Sequence, residues 1–126
     1  MQPEDALKQI HITKNSFIVV ATRGHRYDSV ALAAAAKTSA SYVGLLGSKR
    51  KIILIYEDLI KMGLPKDRIK ELRAPIGLEI NARTPDEIAI SIISEMLMFR
   101  LGGSGQNMKL DEKLIENIFS KHAKAL

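Results

Sequence analysis

The chain has 126 residues, 46% of them apolar and 26% charged, with a formal net charge of +5 and no cysteine. That is the length and balance of one ordinary globular domain able to bury a core of its own. It excludes disulfides, thiolate metal sites and persulfide chemistry on the chain itself, while the positive surplus favours anionic partners.

The start, Met1-Gln2-Pro3-Glu4-Asp5, is acidic and has no apolar h-region, so it does not read as a signal peptide. Residues Pro3 to Ile10 predict a short helix. Phe17-Ile18-Val19-Val20-Ala21 is a compact β-branched run and predicts a buried strand of a parallel sheet. Asp28 to Lys37, rich in Ala and Leu, predicts a helix with Asp28 as its N-cap. Tyr42-Val43-Gly44-Leu45-Leu46 predicts a second short strand that stops at Gly47-Ser48. A helix follows from about Lys49 to Met62, closed by Gly63 with Pro65 just beyond. It carries apolar residues from Ile52 to Ile60 in such number that it should be covered on more than one side.

Asp67 to Leu72 predicts a short helix, and Ala74-Pro75-Ile76-Gly77-Leu78 a third, very short strand. Thr84-Pro85-Asp86-Glu87 is a strong helix start, with Thr84 as cap, Pro85 in the first turn and Glu87 completing a capping box. That helix should run to Leu101 and stop at Gly102-Gly103. Its core, Ile88 to Phe99, is interrupted by Ser91, Ser94 and Glu95 and is too short and polar to cross a membrane. Glu95 is expected at an exposed or interface position, because a buried carboxylate needs a partner. Residues 102–109 read as a linker, and 110–125 as an amphipathic helix with Leu110, Leu114, Ile115, Ile118 and Phe119 on one face. Alternating strands and helices predict a single domain, residues 1–126, of the α/β class with a short parallel sheet between helical layers.

Three segments can carry chemistry: Thr22 to Asp28, Gly44 to Lys51, and Pro75 to Leu78. Each lies at the carboxyl end of a predicted strand, the edge where open α/β sheets bind ligands. Gly47-Ser48-Lys49-Arg50 opens a helix, whose free N–H groups and dipole favour an anion, with Lys49, Arg50 and Lys51 adding charge. The alternative is a tight turn with Ser48 as a cap. Cations in a first helical turn oppose the dipole, so their presence points toward phosphate binding. His25 and Asp28 could form a base with its orienter or two metal ligands, or Asp28 could cap while His25 lines the crevice; the cap is the favoured reading. Pro75 to Gly77 reads as a turn required by backbone shape, and His11 and His122 as surface residues. Basic residues are scattered and there are three Phe and three Tyr for stacking, so nucleic acid is not an expected partner.

Together these segments resemble the C-terminal domain of the xanthine dehydrogenase accessory proteins of the XdhC/CoxI type. The T-x-x-H-x-x-D pattern of that family is matched by Thr22, His25 and Asp28. The tyrosine-glycine strand with its G-S-basic-basic turn is matched by Tyr42, Gly44, Gly47, Ser48, Lys49 and Arg50. The P-I-G-L segment and the T-P-x-E-I-A-x-S helix are matched from Pro75 to Leu78 and from Thr84 to Ser91, with Glu95 beyond. Lys49 stands where arginine is usual, and Asn81 where glycine is usual, a replacement that left-handed backbone tolerates.

The resemblance implies a partial Rossmann-like three-layer fold over residues 16–101. It implies an accessory or chaperone role, without catalytic residues, in which molybdopterin is held as cargo and delivered to a molybdenum hydroxylase client. On that reading the cofactor-binding residues are Thr22, His25, Asp28, Gly47, Ser48, Lys49, Arg50 and Gly77, with no metal held by the chain alone. A cytoplasmic location without membrane contact is expected. The rival reading is an enzyme, or a nicotinamide-dependent oxidoreductase subunit, using His25, Lys49 and Arg50 on a phosphorylated ligand. No G-x-G-x-x-G loop supports the latter. The family's opening strand and glycine loop have no counterpart before residue 16, so a homodimer, or a second chain carrying that half, is expected to complete the sheet.

Overall fold

The computed structural model describes residues 2–123. The element order is α1 (Pro3–Lys8), β1 (Phe17–Val20), α2 (His25–Ala36), β2 (Tyr42–Leu45), α3 (Lys49–Lys61), α4 (Lys66–Glu71), α5 (Pro85–Leu101) and α6 (Glu112–Ala123). The end of the expected last helix, residues 124–125, lies outside the described residues.

β1 and β2 pair in parallel, with Phe17 opposite Tyr42 and Val20 opposite Leu45. The expected third strand is reduced to one bridging residue, Arg73, which pairs with Gly44 one position ahead of Ala74. The Arg73 N–H donates to the Val43 carbonyl at 2.9 Å, and its carbonyl accepts from Leu45 N–H at 3.0 Å. The ladder then breaks up, with Ile76 N–H returning to the Leu45 carbonyl at 2.9 Å. Among the described residues β1 pairs on one side only, so its other edge is open.

Side chains alternate across a strand, which here divides two layers. Val20, Val43 and Leu45 share one apolar cluster with Leu32, Ile52, Ile55 and Leu59 of α2 and α3. α2 packs closely against the sheet, α1 and α3 because its buried positions include Ala31 and Ala33 to Ala36, which carry only a methyl group. On the other face Phe17 stacks on Tyr42 with ring centroids 5.0 Å apart, and Phe99 of α5 meets both rings edge-on at 5.6 Å. Helices therefore lie on both faces of the short sheet, the expected three-layer α/β arrangement. Gly44 is needed in that second layer, since a Cβ there would come within 2.5 Å of Ile76 Cδ1.

Two helices are less covered than their sequences demand. α3 buries Ile52, Ile55 and Leu59 on one face, whereas Ile53, Leu54 and Ile60 are exposed. α5 has the expected capping box between Thr84 and Glu87 and stops at Gly102. The two residues it buries are polar, Ser91 and Glu95.

Candidate ligand-binding site

The end of β2, the start of α3, the segment after Arg73 and α5 form a concavity of about 490 Å3, lined among others by Leu46, Lys49, Pro75, Gly77, Ile80 and Ser91, to which the loop after β1 contributes no residue. That volume lies in the range of small-molecule sites. Lys49 is the first residue of α3, and Ser48 is its N-cap, with the Ser48 hydroxyl accepting from Lys51 N–H at 3.3 Å. The N–H groups of Lys49 and Arg50 have no acceptor within the helix and are free for an anion. Lys49 and Gly77, far apart in sequence, thus meet at one site, while Arg50 is exposed beside it and does not line the concavity.

The Gly77 loop is held against α5. The Ser91 hydroxyl donates to the Leu78 carbonyl at 2.6 Å, and Leu78 N–H donates back to the Ser91 carbonyl at 3.3 Å. Gly77 has φ of 102°, and a Cβ there would collide with the Ser91 hydroxyl, so the turn can only be glycine. Further along the same rim Asn81 takes φ of 59°, the left-handed conformation expected of it.

Asp28 does something other than cap. α2 begins at His25 with Gly24 at the N-cap position and no capping side chain. Asp28 lies one turn inside the helix, fully buried, and its Oδ1 accepts from both the backbone N–H and the hydroxyl of Thr22. Its Oδ2 is met by Lys51 Nζ at 2.6 Å, an ion pair without an aligned hydrogen bond. A buried carboxylate needs such compensation. The carboxylate joins the loop after β1 to the first turn of α3, and in doing so it engages the ammonium of Lys51.

His25 is not oriented by Asp28 either. Its Nε2 lies 2.7 Å from Oδ2 of Asp58 on α3, and the same oxygen accepts from the Ser29 hydroxyl at 2.7 Å. These bonds, that of Ser29 first and that of His25 second, hold the Asp58 carboxyl below the usual carboxylate range. His25, Ser29 and Asp58 line a separate groove of about 400 Å3 between α2 and α3, which contains neither Lys49 nor Gly77. The sequence-derived set is therefore divided: Lys49 and Gly77 line the concavity, Gly47, Ser48 and Arg50 lie outside its lining, Thr22 and Asp28 form a buried tie, and His25 sits in its own groove. His11 and His122 are exposed as expected, and no cluster of three or more metal-ligating side chains occurs among the described residues.

Sequence reading missed Lys51 as the partner of Asp28, missed Asp58 and Ser29 altogether, and missed the bond of Ser91 to the Gly77 loop. The first three depend on α2 packing against α3, which no local pattern reveals. Ser91 left a signal: with Glu95 it forms a polar pair four residues apart in the largely apolar stretch Ile88 to Phe99, which places the two on one face. Glu95 corrects the expectation of an exposed or interface position, being 7% exposed beneath the sheet of its own chain. Its Oε1 accepts from the Tyr42 hydroxyl at 2.6 Å, which meets its need for a partner. Burial first, and that bond second, push the Tyr42 hydroxyl well above the usual phenol range. Arg73 lies 5.1 Å over the Phe99 ring beside them. No helix of the described residues is long and apolar enough to cross a membrane.

Residues 2–96 match the family model described as the XdhC Rossmann domain. Among curated proteins the chain is 34% identical over 100 residues to the uncharacterized protein YqeB of Escherichia coli, covering 79% of this chain and 18% of that one. It is 28% identical over 98 residues to a probable xanthine dehydrogenase subunit of Bacillus subtilis, covering 78% of this chain and 28% of that one. It is 33% identical over 70 residues to the molybdenum cofactor insertion chaperone PaoD of Escherichia coli, covering 56% of this chain and 22% of that one. A crystal structure of a xanthine dehydrogenase from Bacillus halodurans superposes with a TM-score of 0.63 at 28% identity, over 86% of this chain and 30% of that one. The chain spans less than a third of the length of each of these relatives. With the family model matched over most of its residues and the three-layer α/β arrangement shared, the chain belongs to the XdhC Rossmann-domain family.

Proposed function

We propose that this chain is an accessory module that holds the molybdenum cofactor, through the phosphate of molybdopterin, in the concavity between Lys49 and the Gly77 loop, and hands it to a xanthine-dehydrogenase-type molybdenum hydroxylase. The supporting observation is the meeting of a cation at a helix start with a glycine turn held in place by Ser91, in a cavity of small-molecule size. One relative is named a molybdenum cofactor insertion chaperone and another a xanthine dehydrogenase subunit, and both names support the same reading. Lys49 and the N–H groups at the start of α3 would take the phosphate, and the Gly77 backbone would lie against the body of the ligand. Thr22 and Asp28 act behind the site by fixing the loop after β1 to α3. The role is delivery without turnover. The rival enzyme reading needs His25 beside Lys49 and Arg50, whereas His25 is bonded to Asp58 in a different groove.

The open edge of β1 is, on this proposal, where a further strand can add. The direct test of the cargo reading is calorimetric titration of molybdopterin into the chain and into Lys49→Ala. Equal affinity for the two would remove the site from the account.

A further inference from the structure

α5 is turned against expectation for a helix on a sheet: its buried residues are polar, and an apolar stripe faces outward. Ile90, Ile93, Leu97 and Leu101 are between 47% and 73% exposed. They recur at spacings of three and four residues, so they form one continuous strip about 17 Å long. α6 has the opposite problem. It has no buried residue, and Leu110, Leu114, Ile118 and Phe119 at and before it are between 48% and 69% exposed. A helix of this length is marginal in water without a partner.

The two faces match in charge as well as in length. α5 begins with Asp86 and Glu87 and ends with Arg100. α6 begins with Glu112 and ends with Lys121 and His122. Laid antiparallel, each end of one meets the opposite charge of the other, and the helix dipoles oppose as well. A parallel alignment would set Arg100 beside Lys121 and Glu87 beside Glu112.

The linker decides whose stripe is covered. After Gly102 the chain folds back, with Gly103 N–H donating to the Met98 carbonyl at 3.0 Å. Gly105 then lies against Met98 and Leu78. Met98 is one residue, about 100°, around the helix from Leu97, so the linker leaves along the loop-side flank of α5 and not over the stripe. α6 accordingly projects without extensive packing on any element of its own chain.

We infer that α6 is an exchanged arm: in a dimer related by a two-fold axis, α6 of each copy packs antiparallel on the Ile90–Leu101 stripe of α5 in the other. Such exchange is isologous and buries both unpartnered faces twice over. This inference is independent of what the concavity holds.

The test uses two full-length variants with all changes at exposed positions, Ile93→Asp with Leu97→Asp in the stripe, and Leu114→Asp with Ile118→Asp in the arm. Sedimentation of the unaltered chain at micromolar concentration should show a dimer, and each variant alone a folded monomer whose self-association is weaker by about a hundredfold. Mixing the two variants should restore a one-to-one complex, because one intact stripe then meets one intact arm. The absence of native cysteine permits a second measurement. In a chain carrying Leu97→Cys and Leu114→Cys, which the antiparallel alignment sets opposite each other, oxidation should yield a covalent dimer. A monomeric unaltered chain, a dimer indifferent to both variant pairs, a mixture that stays monomeric, or a disulfide that closes within single chains would each overturn the inference.

Discussion

Lys51, in the first turn of α3, reaches the buried carboxylate of Asp28 in α2 with Nζ 2.6 Å from Oδ2. The contact explains one of the cations that the helix dipole disfavours, and it leaves Lys49 as the first-turn cation that lines the concavity. Removing one partner of a buried pair costs more than removing both. Lys51→Met should therefore lower stability by roughly 2–3 kcal/mol, the partial exposure of Lys51 weakening the full penalty. Lys51→Met combined with Asp28→Leu should recover part of that loss. Urea denaturation of the two single variants and the double variant measures the coupling, and strictly additive losses would show that the pair is not acting as one unit.

Ligand affinity should divide unequally between neighbouring cations. Lys49→Ala should weaken molybdopterin binding by about 1–3 kcal/mol, the worth of a charge-assisted bond. Arg50→Ala should cost less, because Arg50 stands outside the lining. Calorimetry on both variants checks the ranking, and a larger loss for Arg50 would relocate the anion.

The buried bond between Tyr42 and Glu95 should matter for stability. Tyr42→Phe leaves the carboxyl without its donor and should cost about 1–3 kcal/mol. Glu95→Gln keeps an acceptor oxygen and should cost less. Thermal melts rank the two, and ultraviolet titration should find one tyrosine that resists ionisation well above the usual phenol range.

Acid should loosen two specific places. The carboxyls of Asp58 and Glu87 lie below their ordinary values, Asp58 through Ser29 and His25, Glu87 through the backbone N–H groups of Thr84 and Arg83. A carboxyl depressed in the folded state contributes stability that is present in full above its unfolded pKa and is lost as pH falls through the folded one. The melting temperature should hold steady above about pH 5 on this account and decline below about pH 4. Ser29→Ala should flatten that decline by removing the largest cause at Asp58. An unchanged acid limb in Ser29→Ala would separate Asp58 from it.

Much of the fold was legible because its signals are local. The Phe17 and Tyr42 runs, the Thr84–Glu87 box and the Gly102 stop each need only their own neighbours to take effect. The site was legible in part. Lys49 and Gly77 could be brought together because strand ends converge on one edge. The ties behind them could not, since His25 and Asp58 are 33 residues apart and Tyr42 and Glu95 are 53 apart. Asp28 misleads for a related reason: its residue type suits a cap, and only the packing of α2 on α3 shows that it is buried and paired with Lys51 instead.

Ser91 is bonded to Leu78 in both directions, and it shares its turn of α5 with Ile90 on the outward stripe. The helix is thus a lever with the ligand loop on one side and the dimer seam on the other. If cargo that steadies the loop strengthens association of the two copies, association must by reciprocity strengthen cargo binding by the same factor. A loaded dimer and an empty, looser pair would then be two readings of one equilibrium, and release to a client would be favoured wherever the client pulls the copies apart. Sedimentation with and without molybdopterin measures that factor, and Ser91→Ala should bring it close to one.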